Sequence, residues 1–146
     1  MTVEVLVWPF LAYNFSPMNP PIPEPRQRIL VVDDDADLTM VVRMILLDCG
    51  RYDVRVVNHP EVALPAVQQF RPHLVLLDVM MPTLDGGQVA AAIRADTTAH
   101  TTPIVFLTAA VTGEEAGRGP IGGDTYLEKP LSRERLLECV ARHAAR

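Results

Sequence analysis

The stretch RILVVDDD, residues 28–35, decides the fold. An unbroken apolar run followed at once by charged residues is typical of a strand that is buried on both faces of a parallel sheet and ends at a polar edge. The sequence therefore predicts that Asp33, Asp34 and Asp35 lie at the carboxyl end of a first strand. The rest of the chain shows whether other strands end in the same way.

After this stretch, short β-branched runs alternate with helix-length segments, which indicates βα units built on a parallel sheet. Glycines crowd residues 109–124 and argue against a full helix there. The predicted fold class is α/β, with a five-stranded, doubly wound parallel sheet whose ligand sites lie beyond the carboxyl ends of the strands. The predicted strands are 28–32, 52–57, 74–77, 104–107 and 125–127, and the predicted helices are 37–48, 60–70 (with Asn58 as its cap), 86–94 and 133–144.

Length and composition favour one folded domain, because 146 residues that are 49% hydrophobic can form a sizeable core. We divide the chain into an apolar N-terminal extension (residues 1–15), a Pro-rich linker (16–25) and a domain (26–146).

The net charge of −5 and the lack of a Lys/Arg run argue against nucleic acid as a partner. The extension is too short for a bilayer and has no basic start, so we expect a cytoplasmic protein without a membrane segment.

Polar residues also follow three other predicted strands: Asp78 the third, Thr108 the fourth and Lys129 the fifth. Because parallel strands end at one edge of the sheet, we expect these residues to lie beside the Asp33–Asp35 triplet. Crowded carboxylates repel one another unless a cation is bound, and donors that are all oxygen favour Mg²⁺. A carboxylate, Mg²⁺, an ammonium and a hydroxyl around one point form a phosphoryl-transfer site, with Asp78 as the nucleophile.

Four motifs and their spacing resemble the receiver domain of two-component response regulators, and in particular the stand-alone chemotaxis regulator. The resemblance covers roughly residues 28–142 and implies a flavodoxin-like sheet with strand order 2-1-3-4-5. The motifs are ILVVDDD at 29–35, LVLLDVMMPTLDGG at 74–87, PIVFLTAA at 103–110 and YLEKP at 126–130.

The resemblance implies a set of metal ligands. Asp34 and Asp78 would bind Mg²⁺ directly, and Asp33 would act chiefly through a metal-bound water. The backbone carbonyl of Met80 would supply a further oxygen, which leaves the Met80 side chain free to vary.

The resemblance also implies residues that respond to phosphorylation of Asp78. Thr108 would hydrogen-bond one phosphoryl oxygen and Lys129 would pair with another, next to a cis peptide bond between Lys129 and Pro130. Tyr126 would turn inward as Thr108 moves, so that these two residues form the conformational switch. The protein would then be a signalling domain and not an enzyme, catalysing only its own phosphorylation and slow dephosphorylation.

The implied phosphodonor is a phosphohistidine on a histidine kinase or a histidine phosphotransfer protein. Because nothing follows the last predicted helix, we expect no attached output domain and an unidentified downstream protein as target. The sequence leaves open whether the chain is a messenger or a phosphate shuttle, whether it forms a homodimer, and whether it is part of a larger hybrid protein.

Another function class, the haloacid-dehalogenase phosphohydrolases, uses a DxD motif after the first strand, which here would be Asp33 and Asp35. In that family the lysine precedes a Gly-Asp pair, whereas Lys129 follows Gly123–Asp124, and the role of Asp78 stays unexplained. A degenerate receiver that acts only as a binding module would lack an acid or the lysine, and neither is missing.

The chain departs from the family pattern at several places. Met80 and Ala110 occupy positions where polar side chains of other family members help to place a hydrolytic water, which predicts slow self-dephosphorylation. Glycines occupy the place of the fourth helix.

For residues 1–15 three alternatives remain: packing on the domain, pairing with a sheet edge across a dimer, or a start codon placed too early, with Met18 as the conventional start. On sequence alone the last is favoured.

Overall fold

The computed structural model of the protein describes residues 24–109 and 125–144. The predicted N-terminal extension, residues 16–23 of the linker, and Ala110 together with the Gly-rich segment that follows it lie outside the described residues.

Five parallel strands form a single sheet within the described residues, in the order β2-β1-β3-β4-β5. β1 lies between β2 and β3, so that Val32 is opposite Val57 on one side and Leu77 on the other. The predicted fold class and strand order are confirmed. The strands are β1 (Gln27–Val32), β2 (Tyr52–Val57), β3 (Leu74–Asp78), β4 (Ile104–Thr108) and β5 (Thr125–Glu128).

Helices cover both faces of the sheet, because successive side chains of a buried strand point to opposite faces and each face needs an apolar cover. Ile29 and Val31 belong to one core cluster, whereas Leu30 and Val32 belong to the other. No helix in the described ranges is long and apolar enough to cross a bilayer. The helices are α1 (Ala36–Asp48), α2 (Ala63–Phe70), α3 (Gly86–Ala95) and α4 (Arg133–Ala144).

The predicted second helix is divided in two: a 3₁₀ turn at Pro60–Val62 precedes α2. Pro65 explains the division, because a proline has no N–H to donate to the carbonyl four residues earlier and its ring crowds that carbonyl. The prediction that Asn58 caps this helix is wrong. His59 occupies the cap position without a side-chain hydrogen bond, while the Asn58 amide is bonded to the loop after β1.

Candidate functional site

The polar residues predicted at the strand ends do meet at one edge of the sheet. β1 and β3 end side by side, which places Asp33 next to the carboxyl end of β3, where Asp78 is the last residue. Asp78 is opposite Leu107, so Thr108 lies one residue farther along β4. The backbone N–H of Lys129 donates to the Thr108 carbonyl oxygen at 2.6 Å and fixes the end of β5 beside β4.

Three carboxylates form a cluster at this edge. One side-chain oxygen each from Asp33, Asp34 and Asp78 lies within 4.8 Å of the others. Asp33 is fully buried and Asp78 is only 4% exposed, whereas Asp34 is exposed. The cluster therefore has a buried base and one side that is open to solvent.

The Lys129 ammonium lies between the two buried carboxylates. Its Nζ is 2.8 Å from Asp33 Oδ2 and 3.2 Å from Asp78 Oδ1. Burial alone would lower the pKa of Lys129, but hydrogen bonds and charge attraction from both carboxylates outweigh it and raise that pKa above its usual value. Lys129 is thus held as a cation at the centre of the site.

The Asp78 carboxyl has an unusual proton affinity. Burial and the adjacent Asp33 carboxylate raise the pKa of Asp78 to about 6, although the Lys129 ammonium and the Met80 N–H oppose the rise. The backbone nitrogen of Met80 lies 3.4 Å from Asp78 Oδ1, and Met80 itself is 77% exposed. Asp78 is therefore nearly buried, yet its ionised form is more populated than its protonated form at pH 7.

The donor set fits a hard divalent cation. The cluster offers only oxygen ligands, and one ammonium cannot balance three carboxylates, so the site retains excess negative charge in a partly buried position. Mg²⁺ prefers carboxylate oxygens together with water, and the exposed side at Asp34 leaves room for water. Asp33, Asp34 and Asp78 are the residues that would hold it.

Asp35, the third carboxylate of the triplet, has a different task. Its side chain accepts hydrogen bonds from the backbone N–H groups of Asp37 and Leu38 at 3.1 Å each and so caps the N-terminus of α1. Its own N–H donates to Asp33 Oδ1 at 3.0 Å, which fixes the buried carboxylate. A phosphohydrolase site would need Asp33 and Asp35 to face one substrate, and this geometry contradicts that alternative.

Asn58 and Thr39 support the site, a role that the sequence did not predict for either residue. The Asn58 amide donates to the Asp33 backbone oxygen at 2.8 Å and to Thr39 Oγ1 at 3.0 Å, and so joins the end of β2 to the loop after β1. Thr39 is buried in the first turns of α1. The signal in the sequence was a polar residue directly after a strand, the same signal that identified Asp78.

Gly86 permits a close approach between α3 and the end of β3. Its N–H donates to the Val79 oxygen at 2.8 Å, and a Cβ at this position would lie 2.3 Å from the Asp78 backbone oxygen. No side chain fits there, so the backbone that carries Asp78 rests directly on the first turn of α3.

Thr108 and Tyr126, the residues expected to form a switch, lie on neighbouring strands. Thr108 is half-buried, and its hydroxyl donates to the Ala109 oxygen at 3.1 Å. The Tyr126 ring is stacked on Phe106 with 5.3 Å between centroids, and the residue is 38% exposed. The peptide bond between Lys129 and Pro130 is cis, as the resemblance implies.

Comparison with known proteins places this geometry in a family. The sequence model of the response regulator receiver domain matches residues 29–141. The chain is 43% identical over 116 residues to the DNA-binding response regulator MtrA of Mycobacterium tuberculosis H37Rv, which covers 79% of this chain and 49% of MtrA. It is 39% identical over 127 residues to the sensor protein GacS of Pseudomonas syringae, covering 84% of this chain and 14% of GacS. The chain therefore spans about half the length of MtrA and a small part of GacS.

Solved structures agree with the sequence relatives. The chemotaxis protein CheY4 of Vibrio cholerae superposes with a TM-score of 0.72 at 31% identity, over 82% of this chain and 99% of that chain. The receiver domain of the Francisella response regulator 1452 superposes with a TM-score of 0.71 at 26% identity, over 82% and 98%. The acidic cluster, the parallel sheet and these matches lead to one conclusion: the chain belongs to the family of response regulator receiver domains of two-component systems.

Proposed function

We propose that the protein accepts a phosphoryl group on Asp78 from a phosphohistidine, in a reaction that depends on Mg²⁺. The observation that carries the proposal is the position of the Asp78 carboxylate, nearly buried and within 4.8 Å of oxygens from Asp33 and Asp34 and 3.2 Å from the Lys129 ammonium. No simple structural role needs three carboxylates in such a place, because their mutual repulsion destabilises the fold.

In the proposed step, an Asp78 carboxylate oxygen forms a bond to phosphorus as the P–N bond to the histidine ring breaks. The electron pair of the P–N bond leaves with the ring nitrogen, and a proton from solvent completes the neutral imidazole. The products are an acyl phosphate and histidine. Even in the absence of metal, where burial and Asp33 raise its pKa to about 6, Asp78 is mostly ionised at pH 7 and so available as a nucleophile.

Positive charge around the transferring group is the main requirement of this chemistry. Mg²⁺ would supply part of it, held directly by Asp34, Asp78 and the Met80 backbone carbonyl and by Asp33 chiefly through a water. Lys129 supplies the remainder, because its ammonium already contacts Asp78 and can transfer a hydrogen bond to a phosphoryl oxygen.

The proposed output is a change at Thr108 and Tyr126. A phosphoryl group on Asp78 gives the Thr108 hydroxyl a stronger acceptor than the Ala109 carbonyl oxygen that it contacts in this structure. Movement of Thr108 towards that acceptor makes room for Tyr126 to leave its stacked position on Phe106 and turn inward.

The proposed phosphodonor is a histidine kinase or a histidine phosphotransfer protein in the cytoplasm, since receiver domains work with histidine kinases in two-component systems. MtrA is named as a DNA-binding response regulator, but this chain spans about half of MtrA. The net charge of −5 disfavours nucleic acid, so we propose a protein target for the receiver domain itself.

Phosphorylation by a small phosphodonor tests the proposal. The full chain is incubated with acetyl phosphate and MgCl₂, and the mass gain of one phosphoryl group is followed by intact mass spectrometry. We expect wild type to gain the group, Asp78→Asn to gain none, and chelation of Mg²⁺ by EDTA to abolish the gain.

Asp53→Asn is the matched control, since Asp53 is an exposed carboxylate on β2 whose nearest partner is Arg26 at 3.7 Å. This variant should be phosphorylated like wild type. Equal phosphorylation of Asp78→Asn and wild type would overturn the proposed acceptor.

A further inference from the structure

Exposed apolar side chains are concentrated on α1. Scattered exposed apolar residues are ordinary on a protein surface, whereas a contiguous group indicates a surface that something covers. Three of the exposed large apolar residues in the described ranges, Val62, Met80 and Tyr126, stand singly on other elements. The other four lie on α1: Met40 (62% exposed), Val41 (53%), Met44 (64%) and Leu47 (41%).

Val41, Met44 and Leu47 line a groove of about 620 Å³ beside the start of α4, which we name the α1/α4 groove. Its apolar wall follows from helical spacing, because residues three and four apart lie on one face of a helix. An ion pair between Asp48 and Arg133, 2.8 Å apart, forms its polar edge. The lining residues are Val41, Met44, Ile45, Leu47, Asp48 and Arg133.

The chain enters the described domain near the C-terminal end of α1, whose last residue, Asp48, lines the groove. The N–H of Gln27, at the start of β1, donates to the Arg51 oxygen at 3.2 Å, and Arg51 closely follows the end of α1 at Asp48. The nine residues 16–24 include four prolines and can span roughly 28 Å at the extension typical of Pro-rich segments. That reach exceeds the roughly 20 Å length of α1, at ~1.5 Å per residue.

We propose that residues 3–15 of the same chain bind in the α1/α4 groove. These residues are predominantly apolar, with Glu4 as their one charged residue, so they match the apolar wall that α1 presents. A short tether gives a linked segment an effective concentration in the millimolar range, which favours it over a second copy at micromolar concentration. The groove thus supports the first of the three alternatives that the sequence leaves open, and the proposal is independent of the role of Asp78.

Trp8, the one tryptophan of the chain, lies inside the proposed segment and reports on its surroundings. The fluorescence of the full chain is measured with selective excitation of tryptophan. We expect an emission maximum shifted to shorter wavelength than that of free N-acetyltryptophanamide, and a quenching constant for acrylamide that is several-fold lower. Both values should stay constant across a hundredfold range of protein concentration.

Met44→Asp places a charge on the apolar wall, and we expect it to shift Trp8 emission to longer wavelength and to raise the quenching constant towards the free value. Val62→Asp introduces the same charge at a similarly exposed site outside the groove and should leave both values unchanged. Circular dichroism verifies that both variants fold, and Leu6→Asp, within the segment itself, should reproduce the effect of Met44→Asp.

Three results would overturn the proposal. Trp8 as accessible as the free compound in wild type would leave the groove to a separate protein partner. Trp8 emission that depends on protein concentration would assign the groove to a second copy of the chain. Equal emission from wild type and a folded Met44→Asp variant would place the segment elsewhere.

Discussion

At the scale of single residues, the site depends on one ammonium that serves two carboxylates. Lys129 contacts Asp33 more closely than Asp78, at 2.8 Å against 3.2 Å. Asp33 is also fixed by the Asp35 N–H, whereas the further contact of Asp78 is the long one from Met80. Asp78 is therefore the less constrained of the two buried carboxylates, which suits the one that has to react.

Met80 is expected to govern the lifetime of the phosphorylated state. The residue is 77% exposed, and its side chain cannot hydrogen-bond a water well, because a thioether is a weak acceptor. Met80→Asn supplies an amide that can orient water for attack on the acyl phosphate. A well-placed general acid or base accelerates a reaction by at least ~10²-fold, and an amide that only orients water supplies part of that effect. We therefore expect Met80→Asn to lose phosphate about tenfold faster than wild type.

Loss of phosphate is followed by intact mass after removal of the phosphodonor. Met80→Leu keeps the position apolar and should match wild type. Rapid loss from wild type itself, or equal rates for Met80→Asn and Met80→Leu, would contradict the assignment.

Sequence reasoning at this scale found the residues at the strand ends but not their partners. Asp33, Asp34, Asp78 and Lys129 were predictable at one edge because parallel strands end together. The cap formed by Asp35 and the amide bonds of Asn58 depend on side-chain directions that spacing does not determine. The roles proposed for Thr108 and Tyr126 stay predictions.

At the scale of elements, the contact between β3 and α3 determines where Asp78 lies. Gly86 begins α3 against the backbone of Asp78, and Asp85 caps the helix through a capping box with Gln88. Any side chain at position 86 has to move backbone, because the nearest atom is the Asp78 carbonyl oxygen.

Gly86→Ala should therefore damage both stability and phosphorylation. We expect a loss of about 1–3 kcal/mol in the free energy of unfolding, the usual range for overpacking at a tight contact. We also expect slower phosphorylation by acetyl phosphate, since displaced backbone moves the Asp78 carboxylate away from Lys129. Urea unfolding and intact mass measure the two effects.

Gly87→Ala is the matched control in the same helical turn. Position 87 is exposed, and an added Cβ would meet only the Asp85 side chain, at 3.1 Å. Its stability should stay within about 1 kcal/mol of wild type, the size of the helix-propensity difference between the two residues. If both substitutions had the same effect, the close approach at Gly86 would not be what positions Asp78.

Most element bounds were predictable from apolar runs and breakers, usually to within one residue. The exception is the segment that opens with Pro60, where a single predicted helix is a 3₁₀ turn followed by α2. Helical periodicity alone does not reveal which backbone hydrogen bond Pro65 removes. The glycine-rich segment after β4 lies outside the described residues, so its expected lack of a full helix stays a prediction.

At the scale of the whole molecule, the sheet concentrates negative charge at one end of a well-packed core. Alternate apolar residues of β1 pack into the two core clusters on opposite faces of the sheet. This packing holds in place the sheet edge that carries the carboxylates. The alternation of strands and helices predicted the fold class, while the strand order came from the resemblance to receiver domains, because alternation alone fits several orders. The stability of such a molecule should depend on how the charge at the edge is neutralised.

The last prediction concerns the pH dependence of unfolding in the absence of metal. Folding raises the pKa of Asp78 from 3.8 to about 6, so the native state binds this proton more tightly than the unfolded chain does. The stability linked to this group is fully present below pH 3.8 and is lost as pH rises through 6, with a total of about 3 kcal/mol at ~1.4 kcal/mol per pKa unit. Asp78→Asn removes the ionisation, so in EDTA it should be more stable than wild type by about 2–3 kcal/mol at pH 8, and this advantage should shrink towards pH 4.

MgCl₂ should reduce the advantage at pH 8, because a cation that binds the native carboxylates stabilises wild type more than the variant. Urea unfolding at each pH measures these differences, with Asp53→Asn expected to follow wild type throughout. An Asp78→Asn variant that is less stable than wild type at pH 8 in EDTA, or whose advantage does not vary with pH, would show that the buried carboxylates do not strain the fold.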